Sequence, residues 1–326
     1  MSKLVTIYGG SGFVGRYITQ RMARAGWRVR VAVRRPNEAL FVRTYGVVGQ
    51  VEPVLCNVRD DASVRAAMHG ADAVVNCVGI LNEIGKNTFE AVHVEAAKRI
   101  ARIAADEGAT SFVHLSAIGA DAGADYEYAR SKGQGEKGVL AAFPDAVILR
   151  PSVIFGPEDR FFNHFAAIAR LSLVLPVVGA NTLMQPVYVD DVAAAAEKGV
   201  VGAATYGIYE LGGPEVESLR DLLKGMLEII ERRRLIVNMP FWMGSFMAFW
   251  FDLWQTLSRG LIVSPLTRDQ VRALRHDNVV SPGAHGFADL GINPQPMEAI
   301  LPQYLYRFRP DGQYAAIHKS ARNLKV

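Results

Sequence analysis

Tyr128 and Lys132, with Ser116 twelve positions before the tyrosine, are the side chains in this chain best suited to moving a proton. Residues four apart share one face of a helix. A phenol is a poor acid or base at neutral pH unless a nearby cation stabilises its phenolate, and Lys132 can supply that charge. Taken alone, the spacing Tyr-x-x-x-Lys is common by chance. A second group of residues gives it context. The apolar run Leu4–Tyr8 leads into Gly9-Gly10-Ser11-Gly12-Phe13-Val14-Gly15-Arg16. A glycine-rich turn between a strand and a helix can hold a pyrophosphate. Gly9 allows the sharp turn, Gly12 allows the backbone to approach the phosphates, and Gly15 allows the helix to pack against the strand. The first helical turn adds free N–H groups and the positive end of the helix dipole. These features predict a bound dinucleotide, whose nicotinamide ribose Lys132 can hold.

The end of the second apolar run, Val29–Val33, indicates which dinucleotide. A carboxylate there would bind the ribose 2′-hydroxyl of NAD. This chain instead carries Arg34, nineteen residues past Gly15, followed by Arg35. Paired guanidinium groups suit a 2′-phosphate, so the expected cofactor is NADPH, with Arg16 adding charge near the phosphates. The alternative is that both arginines only solvate a strand end.

The elements that must position these residues alternate. Strands are expected at Val51–Leu55, Ala73–Cys77, Ser111–Leu115 and Val147–Leu149, with helices near Ala62–Met68, Thr88–Glu107 and Tyr126–Phe143. Such alternation predicts βαβ units, a doubly wound parallel Rossmann sheet and ligands beyond the carboxyl ends of its strands. Those ends carry Asn57-Val58, Cys77-Val78-Gly79, Ser116-Ala117 and Pro151. Asp60 or Asp61 is expected to cap the helix after the third strand, and Gly108 to close the long helix. The expected organisation is a nucleotide-binding domain over 1–159, rejoined by 186–213. A smaller, mostly helical region is expected over 160–185 and 214–326.

Composition sets limits. The chain has 326 residues, half of them hydrophobic, with a net charge of +4. Its pI is about 9.0 and its mean hydropathy +0.12. That charge is too mild to imply nucleic acid, and no nucleic-acid module accompanies it. Cys56 and Cys77 have no paired redox or metal spacing, which suits a reducing compartment. The seven histidines show no metal-ligand spacing, so no metal is expected. His114, in an apolar strand, is expected to be a satisfied core residue. Asp190 and Asp191, taken as neighbours in a strand, would point to opposite faces and hold loop packing. The first strand starts at Lys3, which predicts no signal or transit peptide before it.

Met239–Leu257 is the second unusual stretch. Asp252 is its only charge, and it holds Trp242, Trp250 and Trp254, three of the chain's four tryptophans. Arg232-Arg233-Arg234 precedes it and Arg259 follows. It reads as a membrane span, as a buried helix, or as an element facing a membrane surface or partner subunit. Tryptophan beside arginine favours the last, since indole seeks the water–lipid boundary and guanidinium seeks anionic headgroups. The tail adds Arg307, Arg309, Lys319, Arg322 and Lys325 among Tyr304, Tyr306, Phe308 and Tyr314. It reads as a solvated terminus or as a segment lying along a partner or an anionic membrane.

With these residues in view, the chain resembles the extended or atypical short-chain dehydrogenase/reductases. The resemblance rests on Gly9-x-x-Gly12-x-x-Gly15, Asn57-Val58-Arg59-Asp60, Asn76-Cys77-Val78-Gly79, Tyr128-x-x-x-Lys132, Arg150-Pro151 and Val189-Asp190-Asp191-Val192. The longer strings Gly12–Tyr17, Tyr128–Lys137 and Pro151–Phe161 are similar to one branch, the accessory subunits of respiratory complex I, the NADH:ubiquinone oxidoreductase. That branch implies a structural NADPH held without turnover by Gly9, Ser11, Gly12, Phe13, Val14, Gly15, Arg16, Arg34, Arg35, Asn57, Val58, Cys77, Val78, Gly79, Tyr128, Lys132 and Pro151. It also implies other complex I subunits as partners, and a peripheral place on the cytoplasmic side of a bacterial inner membrane. Two departures stand out. Asn57 replaces the family's aspartate, and Ala117 follows Ser116 where the catalytic serine often falls. If the chain is active, Tyr128, Lys132 and Ser116 are its catalytic set, in an NADP-dependent reductase, epimerase or dehydratase acting on a sugar-nucleotide, steroid-like or quinone substrate. A third possibility is a binding protein that senses the NADPH/NADP⁺ ratio.

Overall fold

In the computed structural model, which describes residues 2–257, 266–310 and 312, seven parallel strands form one central sheet. They are β1 (Leu4–Tyr8), β2 (Arg28–Val33), β3 (Val51–Leu55), β4 (Ala73–Asn76), β5 (Ser111–Leu115), β6 (Val147–Pro151) and the strand Gly207–Leu211. Their order across the sheet is β3-β2-β1-β4-β5-β6 and then Gly207–Leu211. The chain order reverses between β1 and β4, which opens a crevice above their carboxyl ends. Pro53 lies in β3, which pairs only with β2. An edge strand tolerates a residue without an N–H.

Alternation along β1 sorts its side chains to two cores. Val5 and Ile7 join Ile18, Met22, Val192 and Ala196 on the face covered by α1 (Phe13–Arg24) and by Val189–Val200. Leu4 and Tyr8 join Val64, Ile100, Ile103 and Val139 on the other face. That face is covered by α2 (Asp61–Met68), α3 (Ala96–Asp106) and α4 (Glu127–Ala142). The Tyr8 hydroxyl is buried but donates to the Val64 carbonyl at 2.8 Å, so its polar tip is satisfied. Asp60 caps α2 through the Ala62 N–H, and Gly108, at φ +74°, follows α3.

Two expectations require correction. The long helix over Thr88–Glu107 is not uniform, because Glu90–Glu95 forms a wider π-helical stretch before α3. Asp190 and Asp191 lie in the first turn of a helix, not in a strand. That helix becomes α6 (Val189–Val200) after α5 (Phe162–Leu171). The apolar pair Val187–Tyr188 is the strand, and the alanines 193–196 continue the helix instead. The pair does hold packing. Asp190 takes a bidentate bond from Arg21 at 2.8 and 2.7 Å, and Asp191 accepts the Gln295 N–H at 2.7 Å.

A third core joins α5 to α7 (Leu219–Ile229) and to the helix Met297–Leu305 through Phe162, Leu222, Leu223, Met226 and Leu301. Tyr304 closes it by donating to buried Asp159 at 2.6 Å. The aromatic stretch forms α8 (Phe241–Leu257). Gly244 and Ala248 are buried, one turn apart, and a Cβ on Gly244 would meet Val178 at 2.6 Å. Trp242, Phe246, Phe249, Trp250 and Trp254 are exposed. Among the described side chains of α8 only Gly244 and Ala248 are buried, with Phe241 and Met243 half-buried beside them, so the outward aromatic face does not fit the buried-helix reading. Among the described residues, no helix is long and apolar enough to cross a membrane. Arg307 and Arg309 are anchored by Asn163 and the Ile229 carbonyl rather than free in solvent. Arg259, Tyr314, Lys319, Arg322 and Lys325 lie outside the described residues.

Candidate nucleotide site

The glycine turn folds back on itself. Gly9, at φ +76°, accepts the Gly12 N–H at 2.9 Å, and its own N–H reaches the Ala32 carbonyl on β2. A Cβ on Gly15 would stand 2.3 Å from the Gly9 oxygen, so only glycine lets α1 start this close to β1. Gly12 is the N-cap and has no side chain to bond the helix. The first backbone bond at this end joins Arg16 N–H to Gly12 at 3.0 Å, leaving the N–H groups of Phe13, Val14 and Gly15 ahead of it. No carboxylate lies in this first turn. An anion is the natural partner for such an end.

Arginines surround the turn with different commitments. Arg34 is exposed and has no hydrogen bond or ion pair among the described residues. Arg35 is also exposed and pairs with Glu38 at 3.0 Å. Arg16 lies over the Phe41 ring, bonds the Ser11 carbonyl at 3.3 Å and pairs with Glu158 at 3.4 Å. Its charge is therefore partly neutralised, while that of Arg34 is fully available.

The floor of the crevice comes from the ends of β3, β4 and β5. The Asn57 side chain accepts the Arg59 N–H at 3.2 Å, which shapes the turn that carries Val58. Asn76 does the same for Val78 at 3.1 Å and also meets His114 Nδ1 at 3.1 Å. The Gly9 turn lies against the Cys77–Val78 backbone, and Gly79 stands exposed beside Lys132. Burial raises the Cys77 thiol to about 12, so it is not a thiolate at neutral pH. The Pro151 carbonyl accepts the Ile118 N–H at 3.0 Å and fixes the segment after Ser116.

Ser116 Oγ and His114 Nε2 are buried without a hydrogen-bond partner among the described residues. The expectation of a satisfied core histidine therefore holds for only one His114 nitrogen. Orphaned buried polar atoms at a strand end, beside an uncapped helix and a glycine turn, fit a polar ligand that completes them. Lys132 is buried and donates to the Leu115 carbonyl at 3.1 Å. Burial lowers its pKa to about 8.

His93 belongs to this site, although no spacing in the sequence marks it. Its Nε2 accepts the Ile80 N–H at 3.0 Å. Its Nδ1 lies 2.9 Å from Ser131 Oγ, whose hydroxyl donates to the Tyr128 carbonyl at 2.8 Å. These partners require a neutral ring with the proton on Nδ1. Burial, then the Lys132 charge, pushes its pKa down to about 2. The Tyr128 ring is held edge-on by His93 at 5.5 Å and Phe89 at 6.0 Å. Burial raises the Tyr128 phenol to about 12, and its backbone N–H is bonded by Asp269 at 2.9 Å. Asp269 lies 141 residues away, beyond the reach of any local pattern.

Residues 5–200 match the NAD dependent epimerase/dehydratase family. The chain is 33% identical over 318 residues to the mitochondrial NADH dehydrogenase (ubiquinone) 1 alpha subcomplex subunit 9 of Mus musculus, covering 94% of this chain and 80% of that protein. To its counterpart in Arabidopsis thaliana it is 32% identical over 316 residues, with 95% and 79% covered. The chain belongs to this family, in the branch of these complex I subunits. A more distant relative is the ceramide reductase of Caulobacter vibrioides, 28% identical over 239 residues, with 73% of this chain and 74% of that one covered. Among solved structures, gox2253 superposes with a TM-score of 0.69 at 21% identity, over 96% and 99% of the two chains. The Bordetella bronchiseptica enzyme WbmG, in complex with NAD, gives 0.67 at 14% identity, over 94% of each chain. The epimerase/dehydratase fold accounts for the crevice, and WbmG, which shares the fold, was solved with NAD.

Proposed function

We propose that this chain is an accessory subunit of a complex I-type NADH:quinone oxidoreductase, holding NADPH as a structural cofactor. The observation that carries this reading is the extent of the match. Similarity to the complex I subunits runs over 94–95% of the chain, beyond the nucleotide-binding half and through the aromatic helix region. NADPH would be held by the α1 N-terminus through Ser11, Phe13, Val14 and Gly15, with Arg34 and Arg35 on the 2′-phosphate. Asn57 and Val58 would border the adenine, and Cys77, Val78, Gly79, Pro151, Tyr128 and Lys132 the nicotinamide half. When bound, NADPH supplies a hydride donor, but the surrounding residues favour holding over turnover. Tyr128 is a weaker acid than free phenol here, and the Lys132 ammonium is committed to Leu115. A ligand that binds only the folded state stabilises it, by an amount set by its concentration over its Kd.

The exposed face of α8, with Arg232, Arg233 and Arg234 before it, would meet other complex I subunits and anionic headgroups on the cytoplasmic side of a bacterial inner membrane. Affinity capture from native membranes in mild detergent, followed by size separation, tests the assignment. The tagged chain, NADPH and NADH:quinone reductase activity are expected in one large species. A small soluble species with exchangeable NADPH overturns it.

A second reading is supported by the ceramide reductase relative and by the Lys132 ammonium lying on the Leu115 carbonyl, next to the unpartnered Ser116 hydroxyl. There, Tyr128 would be the proton donor and Ser116 the group that orients a carbonyl. Consumption of bound NADPH by an added carbonyl substrate, lost in Tyr128→Phe, would favour that reading.

A further inference from the structure

We propose that Asp269 is a positioning residue for the Tyr128 end of the nucleotide site, and that its helix mechanically links that site to the exposed aromatic helix α8. The proposal rests on the nucleotide reading above only for its NADPH arm.

Helix α4 begins without a side-chain cap of its own, because Tyr126 at the N-cap makes no such bond. A helix start leaves N–H groups that need acceptors. Here the acceptor comes from another part of the chain. Asp269, in the short helix α9 (Arg268–Ala273), takes the Glu127 N–H at 2.6 Å and the Tyr128 N–H at 2.9 Å. A carboxylate at this end also complements the helix dipole. The two bonds fix the backbone of Tyr128 itself. The contact is reinforced where Tyr126 stacks on His276 at 5.6 Å.

The next two residues on either side extend the connection. Gln270 donates to Asn82 at 3.2 Å, on the loop that follows Gly79. Arg268 faces the other way, toward α8. Its N–H and Nε reach Asp252 at 3.2 and 3.3 Å, and its guanidinium lies over Phe249 at 5.5 Å. The start of α9 is rigid, since Thr267 and Gln270 form a reciprocal capping box. One turn of helix thus holds α8 with one residue and both sides of the nicotinamide end with the next two. Any force or ordering at α8 passes to Tyr128 through two adjacent residues, Arg268 and Asp269, and coupling of this kind is reciprocal.

Amide hydrogen exchange on the full chain tests this, first without nucleotide. Asp269→Ala should speed exchange in the first turn of α4 about tenfold, and Arg268→Ala about threefold, as expected for loss of both capping bonds and of part of one supporting contact. Residues 9–16 should be unchanged in both variants. Among the described residues Arg268 makes no hydrogen bond or ion pair to α4 or the glycine turn, so unchanged exchange at Glu127–Tyr128 in Arg268→Ala overturns the link to α8. NADPH is then added to the wild type and to Arg268→Ala. Slower exchange at 9–16, α9 and α8 in the wild type, with the α8 effect lost in the variant, supports the link. Protection at 9–16 without any at α9 overturns it. Protection nowhere defeats the NADPH reading instead, and the nucleotide-free comparison still decides the role of Asp269.

Discussion

The glycine turn and helix α8 present opposite kinds of incompleteness. At the turn, among the described residues, the missing partners are polar: uncapped N–H groups, an unpaired Arg34, and the buried Ser116 and His114 atoms without acceptors or donors. At α8 the missing partners are apolar, since Gly244 and Ala248 are covered while a row of tryptophan and phenylalanine faces outward. Unsatisfied polar atoms demand a ligand of defined geometry, because a hydrogen bond is directional. Exposed aromatic area demands only cover, because hydrophobic contact is not directional. A small molecule suits the first, and an extended surface suits the second.

The largest effect that would sharpen this contrast comes from the turn. Gly15→Ala places a methyl against the Gly9 oxygen, 2.3 Å from its ideal position. It should lower stability by roughly 1–3 kcal/mol and abolish NADPH binding, read by chemical denaturation and by nucleotide fluorescence. Retained binding would mean that the turn is not the phosphate site. Next in size, Arg34→Ala with Arg35→Ala should weaken NADPH roughly 10- to 100-fold by calorimetry. NADH affinity should be unchanged, because only NADPH carries the 2′-phosphate. Equal loss for both nucleotides would remove the basis for choosing NADPH.

A third effect follows from the two buried histidines. Burial depresses His93 to about 2 and His114 to about 3, whereas the unfolded chain titrates near the ordinary value of 6.5. Above that value both states are neutral and the histidines do not oppose folding. As the pH falls below it, the unfolded state takes up protons that the folded state refuses. Stability should then drop by up to about 1.4 kcal/mol per pH unit for each histidine. His93→Gln should reduce the slope of stability against pH between about 6 and 4, measured by urea denaturation. An unaltered slope would show that His93 is not held neutral.

The smallest effect on folding is expected at α8. Trp250→Ser with Trp254→Ser should change stability by no more than about 0.5 kcal/mol per site, since both rings are exposed. The same pair should nevertheless lose co-fractionation with membranes. A large drop in stability would instead place these rings in the protein's own core.

Six of the seven strands were legible as short runs bounded by turns, and the glycine motif lies where its spacing indicates, whereas the seventh strand, Gly207–Leu211, is short and carries Glu210 and was not marked. Boundaries failed where two patterns overlap. Val187–Val192 is rich in β-branched residues, so the helix that starts at Val189 was hidden until the alanines that follow. The nucleotide crevice could be outlined from strand ends, but its supporting residues could not. His93 lies inside a π-helical stretch, where helical periodicity is broken. Asp269 acts across 141 residues, and Glu158 meets Arg16 across 142. Pairings that long depend on the completed fold and leave no local trace.

The bond from Tyr304 to Asp159 has a consequence for the order in which the chain is built. Each strand from β4 to Gly207–Leu211 joins the growing edge of the sheet in sequence, so that layer can assemble as the chain emerges. The core around Phe162 has no such option, because Leu301 and Tyr304 arrive about 140 residues later. Until then only α7 can cover its apolar face, which makes the helix Met297–Leu305 the clasp that closes this core and leaves the nascent chain with an incomplete core just before it appears.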